Sequence, residues 1–184
     1  MNSGISVDLL TGELAGGPMH ESSRTVGDMK GYYRNERAWQ SLDPGTPVYR
    51  VQAFLPGREG EEGDLFFGTT FVQPGMVGDE YFMTKGHFHQ KRNRREYYIT
   101  VAGAGALILM DEARHTLFEP MHPGSVHYIP AHTAHRVANI GDTVLAFLAC
   151  WPSDAGHDYE SIASKGFGAR LRRMNGVPTL VEES

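Results

Sequence analysis

The sequence predicts an all-β fold, a closed or sandwiched antiparallel barrel, and three observations carry that expectation. Glycine contributes 22 and proline 10 of the 184 residues, and both recur at short intervals, as tight turns between short strands require. Between Val48 and Trp151 no stretch sustains the 3.6-residue periodicity of a helix. Strand-like runs follow one another there instead, and a barrel leaves few of their edges exposed.

The elements follow in order along the chain. A short strand over Gly4–Leu10 turns at Thr11-Gly12. Thr25-x-x-Asp28 has the form of a capping box, with the shorter acid, and marks a helical start. Asn35 can cap a further turn or two carrying Ala38, Trp39 and Leu42. Strands are then expected at Val48–Leu55, Leu65–Val72, Tyr97–Ala102, Ala106–Met110, His115–Phe118, Val126–Ile129, His135–Asn139 and Val144–Trp151. Turns at Pro56-Gly57, Pro74-Gly75, Gly103–Gly105, Pro123-Gly124 and Gly141-Asp142 separate them. Past Trp151 the chain reads as a loop over Ser153–Asp158, a brief helix over Tyr159–Ser164 and a last strand near Ala169–Met174. This divides the chain into an N-terminal arm (1–46), a barrel (47–152) and a C-terminal loop, helix and strand packed on it (153–184).

Composition narrows the function classes. Hydrophobic residues at 40% and charged residues at 21% suit one globular core. A formal net charge of −5 gives the surface as a whole no reason to seek nucleic acid. The longest apolar run, Val144–Trp151, is far short of the roughly 20 residues that span a bilayer. Asp8 and Glu13 stand where a secretory signal needs a basic start and an apolar block. The single cysteine, Cys150, lies among Phe147, Leu148 and Trp151 and reads as a buried thiol. Together these point to the cytoplasm, with no nucleic-acid or membrane partner. The basic run Lys91-Arg92-Asn93-Arg94-Arg95 reads as a solvated hairpin turn.

The chemistry concentrates in Gly86-His87-Phe88-His89, six residues, then Glu96-Tyr97-Tyr98. Residues two apart on a strand project from one face, so His87 and His89 point together while Phe88 points away. Two such imidazoles can share a metal ion, and Glu96 at the start of the next strand can return a carboxylate to it. Alone, an alternating histidine pair often just lines a polar face. A second turn-and-strand unit, Gly124, Pro130, His135 and Asn139, strengthens the reading and offers His135 as a fourth ligand.

These two units resemble the paired motifs of the cupin superfamily, with Gly103 at the expected gap after Glu96. Two features depart from the pattern. The gap between His89 and Glu96 is long, and His132 stands where glycine is usual, a position histidine tolerates if φ is positive. The long gap, with Thr84-Lys85-Gly86-His87-Phe88-His89 and Glu96-x-Tyr98, is similar to archaeal-type (cupin-type) glucose-6-phosphate isomerase. The likeness continues in Asp28-Met29-x-Gly31-Tyr32, Glu36-Arg37-Ala38-Trp39, Glu62-Gly63-Asp64-Leu65, Thr69-Thr70, Pro152-x-Asp154-Ala155-Gly156-His157-Asp158-Tyr159 and Ser164-Lys165-Gly166-Phe167, which together cover nearly the whole chain.

The resemblance implies a cupin (double-stranded β-helix, or jelly-roll) barrel and a homodimer to which the N-terminal arm could contribute. It implies an aldose–ketose isomerase of glycolysis and gluconeogenesis acting on a small sugar phosphate. One divalent ion per chain would be held by His87, His89, Glu96 and His135, with iron placed first and Mn, Ni, Co or Zn also compatible. Glu96 would carry a proton between C1 and C2 through a cis-enediol, or serve only as a ligand during a hydride shift. His157 would assist ring opening or proton transfer. Tyr49, Thr70, Thr84 and the Gly86 N–H would hold phosphate, and Tyr98 and Tyr159 would contact the sugar. Lys85, beside Thr84, is expected to face outward. Without the resemblance, Thr69-Thr70 is explained by β-propensity, Tyr98 equally well by core packing, and His157 by a solvated loop. His20, His115, His122, His127 and His132 are left as structural or surface residues. The competing classes are a cupin dioxygenase or decarboxylase and a non-catalytic sugar-binding cupin.

Overall fold

The structure, a computed structural model, describes residues 4–163 and 165–183. The strands are β1 (Ser6–Val7), β2 (Leu14–Ala15), β3 (His20–Thr25), β4 (Pro47–Phe54), β5 (Leu65–Val72), β6 (Met76–Val77), β7 (Glu80–Tyr81), β8 (Glu96–Ala102), β9 (Gly105–Met110), β10 (Thr116–Met121), β11 (Val126–Ile129), β12 (Ala134–Asn139), β13 (Leu145–Pro152), β14 (Ala169–Met174) and β15 (Val177–Glu182). The helices are α1 (Glu36–Gln40) and α2 (Glu160–Ala163). Ser164, the last residue of the helix expected from the sequence, lies outside the described residues. No helix among the described residues is long and apolar enough to cross a membrane.

A six-stranded antiparallel sheet in the order β11-β8-β13-β5-β4-β3 forms one wall of a cupin barrel, and β10-β9-β12 forms the other. Alternation sets which side chains line the interior. On β13, Phe147, Ala149 and Trp151 face inward, paired across to Thr70, Gly68 and Phe66 on β5. On β8, Glu96 and Tyr98 share the inner face, and Tyr97 and Ile99 face solvent. All six residues of β9 and of β12 are buried, because β9 and β12 are covered on both sides. Phe167 and Leu171 from the C-terminal segment belong to the same core as Leu107 and Ile108 of β9.

The strands at Leu65–Val72, Val126–Ile129 and Ala169–Met174 have the bounds expected from sequence, and those expected at Tyr97–Ala102, Ala106–Met110 and His135–Asn139 begin one residue earlier. Those at Val48–Leu55 and Val144–Trp151 are shifted by one residue, and the one expected at Gly4–Leu10 is only Ser6–Val7. The hairpin strand expected at His115–Phe118 runs instead over Thr116–Met121. β3 and β15 carry no sequence signal of alternation. β3 reads His-Glu-Ser-Ser-Arg-Thr and pairs along β4 as the edge of the large sheet, where one polar strand is tolerated. The Thr25–Asp28 box forms in half. Asp28 Oδ2 accepts the Thr25 N–H at 2.8 Å, but the segment closes only a 3-10 turn over Gly27–Met29. Asn35 does cap α1, accepting the Ala38 N–H at 3.0 Å. Cys150 is half-buried rather than buried, since it projects from the outer face of β13, opposite exposed Tyr97. His132 has φ of 60°, the conformation that its glycine-like position demanded.

The two walls are tied by Asn139, which is wholly buried at the end of β12. Its Nδ2 donates to Val72 O on β5 and to Thr143 O, both at 2.8 Å, and its Oδ1 accepts the Gly141 N–H at 2.9 Å. Asn139→Ala strands those partners and is expected to cost about 2–4 kcal/mol in urea unfolding. A loss below about 0.5 kcal/mol would mean that these bonds do not join the walls.

Candidate metal centre and substrate cavity

The segment from Phe82 to His89 lies alongside β12 without forming a regular strand. Asn139 N–H donates to Phe82 O at 2.9 Å, Thr84 N–H to Val137 O at 2.9 Å, and His87 and His135 exchange N–H···O bonds of 3.2 and 3.0 Å. Gly86 makes this course possible. Its φ is 72°, and a Cβ there would lie 2.7 Å from Arg136 Cβ and 2.9 Å from His135 O. The backbone pairing sets the His87 and His135 rings 4.4 Å apart between centroids, with His89 5.2 Å from His135. One nitrogen from each of His87, His89 and His135 lies within 4.8 Å of the others.

Glu96 enters from the opposite wall. Its Oε2 is 3.1 Å from His89 Nε2 and 3.2 Å from His135 Nε2. Burial pushes this carboxyl up, but its contacts with His135 and His89 win and bring it down to about 2. It is an anion at any working pH. Desolvation, then the neighbouring imidazoles, hold His87 well below its ordinary value, so it is neutral and its lone pair is available.

The donor set fits a divalent cation. His89 Nδ1 sits 3.2 Å from the Arg94 carbonyl, which can only accept, so Nδ1 carries the proton. Its Nε2 is turned towards the Glu96 carboxylate oxygen, 3.1 Å away, so the two donors can face one cation. Both ring nitrogens of His135 are buried and without a hydrogen-bond partner, although Nε2 is close to Glu96. A mixed nitrogen and oxygen set of this kind suits Fe, Mn, Ni, Co or Zn.

The cluster forms part of the wall of a cavity of about 150 Å³. Tyr49, Thr70, Thr84, Gly86, Tyr98, His157 and Tyr159, each singled out in the sequence, all line it. Thr70 faces inward while Thr69 turns out and donates to Gly12 O at 2.7 Å. Thr84 Oγ1 accepts the Val137 N–H at 3.1 Å, which leaves its own hydrogen to donate. Gly86 N–H has no intramolecular partner among the described residues. Burial raises the phenol of Tyr49 to about 12, and burial followed by the Glu96 charge raises Tyr98 well above its ordinary value, so both are donors. His157 is 4.4 Å from His87 between ring centroids and stacks within 6° of parallel on Tyr159. Desolvation lowers His157 and favours its neutral form.

Sequence reasoning missed two parts of the wall and, third, a support outside it. Lys85 lines the cavity instead of facing outward, because the positive φ at Gly86 breaks strand alternation just there. Trp151 closes one side, its ring against Gly68, where a Cβ would meet it at 3.1 Å. Its place in the alternating series Phe147, Ala149, Trp151 was the available signal. The third is the basic run before Glu96, which is not simply solvated. Asp154, with its side chain 1% exposed, receives Lys91 Nζ at 2.7 Å, Arg94 Nε at 2.9 Å and Arg94 Nη2 at 2.5 Å. Main-chain bonds continue the join: Lys91 N–H to Ala155 O at 3.0 Å, and Asp158 N–H to Phe88 O at 2.8 Å. The loop carrying His157 is thus laced to the segment carrying His87 and His89. Of the histidines left aside, none lines the cavity. His127 is buried between Glu119 and Ser125, at 2.7 and 2.8 Å.

The chain is similar to known proteins over nearly its whole length. The family model described as glucose-6-phosphate isomerase (GPI) matches residues 23–181. The glucose-6-phosphate isomerase of Pyrococcus furiosus is 44% identical over 97% of this chain and 94% of its own. That of Sinorhizobium medicae is 38% identical over 90% and 77%. Among solved structures, a Bacillus subtilis oxalate decarboxylase mutant aligns with a TM-score of 0.47 at 21% identity, covering 66% of this chain and 30% of that one. That likeness is too distant to bear on the chemistry.

The clamp on Asp154 has a local readout. In Asp154→Ala, amide hydrogen exchange at Phe88, Lys91 and Asp158 is expected to accelerate about tenfold or more, with β9 amides unaffected. Equal rates in the two proteins would show that the main-chain bonds alone hold the loop.

Proposed function

The chain is an enzyme of the glucose-6-phosphate isomerase family, and from that premise we propose that His87, His89, Glu96 and His135 hold one divalent metal ion on which its interconversion of D-glucose 6-phosphate and D-fructose 6-phosphate depends. The observation that carries this reading is the convergence of three imidazoles and an ionised carboxylate on one point of a cavity lined with hydroxyl donors. Iron is the first candidate, and Mn, Ni, Co and Zn suit the same donors. When bound, such an ion supplies Lewis-acid stabilisation of the negative charge that develops on the sugar oxygens.

The chain's own groups do the rest. Thr70, Thr84, Tyr49 and the Gly86 N–H bind the phosphoryl group, each offering a hydrogen to its oxygens. Tyr98 and Tyr159 orient the sugar. His157, neutral through burial, takes the proton of the C1 hydroxyl and passes it to the ring oxygen as the ring opens. Glu96 removes the C2 hydrogen of the open-chain aldose as a proton and returns it at C1. A second proton passes from O2 to O1, so the net change is an aldose converted to a ketose. Trp151 and Phe147 exclude water from that side of the reacting carbons. The exposed apolar strip of Tyr97, Ile99, Val126 and Tyr128 on the outer faces of β8 and β11 supports a homodimer. A cytoplasmic place in glycolysis and gluconeogenesis accords with the family.

Two experiments test this. Treatment with a chelator is expected to abolish isomerisation of fructose 6-phosphate, and about one equivalent of metal per chain to restore it. Full activity in a folded His87→Ala/His89→Ala double variant would sink the metal assignment. Substrate deuterated at C2 separates the proton path from a hydride shift. Loss of label to solvent is expected, and complete transfer of deuterium to C1 would reduce Glu96 to a ligand.

A further inference from the structure

A substrate carrying a phosphate dianion must approach a protein whose formal charge is −5, so long-range attraction is absent and the charge must be met locally. The hydroxyl and amide donors of the cavity carry no positive charge. Two cations near the cavity, Lys85 and Arg24, form no ion pair among the described residues. Lys85 lines the cavity, its Nζ 5.4 Å from the Tyr32 ring centroid, and it makes no ion pair. Arg24 lies on the edge strand β3, directly opposite Tyr49 in the antiparallel register.

Opposed residues in such a pair share a face, with Cβ atoms about 5 Å apart. The register Arg24–Tyr49 and Ser22–Val51 therefore sets Arg24 on the side of the sheet from which Tyr49 and Val51 line the cavity. The neighbouring pair, Glu21–Gln52, is joined by a hydrogen bond on the other side. Arg24 Nη1 donates to Ser23 O at 2.6 Å, leaving its other N–H groups free of partners among the described residues. Burial raises the phenols of both Tyr49 and Tyr159, and the Arg24 charge opposes it at both, so that charge is felt across the mouth. Asp28 is an acid within reach of both Arg24 and Lys85, and its Oδ2 is already held by the N–H and hydroxyl of Thr25.

We propose that Arg24, with Lys85, forms the cationic rim that recognises the substrate's phosphate dianion and sets the preference for phosphorylated over free hexose. The proposal rests on the sugar-phosphate reading above and adds a specificity-determining residue that the hydroxyl donors do not account for. The guanidinium meets the outer phosphate oxygens while Thr70, Thr84 and the Gly86 N–H meet the inner ones, and the chemistry at C1 and C2 is left to other groups.

The test uses the full-length enzyme and the variants Arg24→Ala, Arg24→Lys and Lys85→Ala. In Arg24→Ala the KM for fructose 6-phosphate is expected to rise about 10- to 100-fold, with a much smaller fall in kcat. The ratio of kcat/KM for fructose 6-phosphate over unphosphorylated fructose should fall by a similar factor. Arg24→Lys should recover part of it, and Lys85→Ala should show a lesser rise. A KM within twofold of the parent in Arg24→Ala, or an equal loss with fructose, would overturn the proposal. Calorimetric binding of sorbitol 6-phosphate, which cannot isomerise, keeps the two readings apart. A tenfold weaker affinity in Arg24→Ala supports the rim even if turnover were absent. Equal affinity in parent and variant rejects the rim while leaving the isomerase reading intact.

Discussion

Two backbone hydrogen bonds exchanged between His87 and His135 are the constraint on which the site depends. They join residues 48 positions apart in the chain and bring both halves of the metal-type cluster into one layer. The segment from Phe82 to His89 is too irregular to hold a ladder of its own. It borrows order from β12, buried on both faces, and from Asn139, which fixes the end of that strand to the opposite wall. Glu96 and Tyr98 then face His135 from the large sheet across the barrel interior. The cluster spans the seam between the two walls, so a slip of one residue in either register would turn its donors to the wrong face.

The barrel and the candidate metal-ligating residues were legible because both are written in local patterns. Alternation in β5, β8, β12 and β13 gives strand bounds and also says which residues share a face, and Glu96, Tyr98 and His135 follow from it, whereas His87 and His89 reach the cavity from a segment that is not a regular strand. The signal failed where the chain leaves ideal geometry or where partners are remote. Gly86, at positive φ, carries Lys85 into the cavity against the expected alternation. β3 was invisible because its outer residues meet water on an edge, so nothing selects apolar side chains there, yet its pairing is what delivers Arg24 to the mouth. Trp151 was readable as a strand residue, but its function as a wall depends on Gly68 of another strand. Cys150 was expected to be buried from its apolar neighbours in sequence, whereas exposure is set by the sheet face it occupies.

Charge is distributed in two layers with opposite tasks. Inside, burial raises the Glu96 carboxylate but its contacts with His135 and His89 bring it down to about 2, beside three imidazoles that could hold a cation. At the rim, Arg24 and Lys85, which form no ion pair among the described residues, stand beside phenols that burial raises. An overall excess of acid is compatible with an anionic substrate only because these rim charges act at short range, within about one Debye length of the mouth. The surface can then remain net negative without weakening recognition inside.

The basic run before Glu96 shows how a segment read as solvated becomes part of the machinery. Lys91 and Arg94 lie about sixty residues from Asp154 in the chain, beyond the reach of any local pattern. Once paired, their charges hold Asp154 well below the usual carboxylate range. The pairing also fixes the Arg94 backbone, whose carbonyl receives the His89 Nδ1 proton and so turns Nε2 towards Glu96. The same join draws the loop with His157 over the cavity. A single buried aspartate thus helps to orient His89 on one side of the site and the loop carrying His157 on the other, which explains why the run carries Lys91 and Arg94.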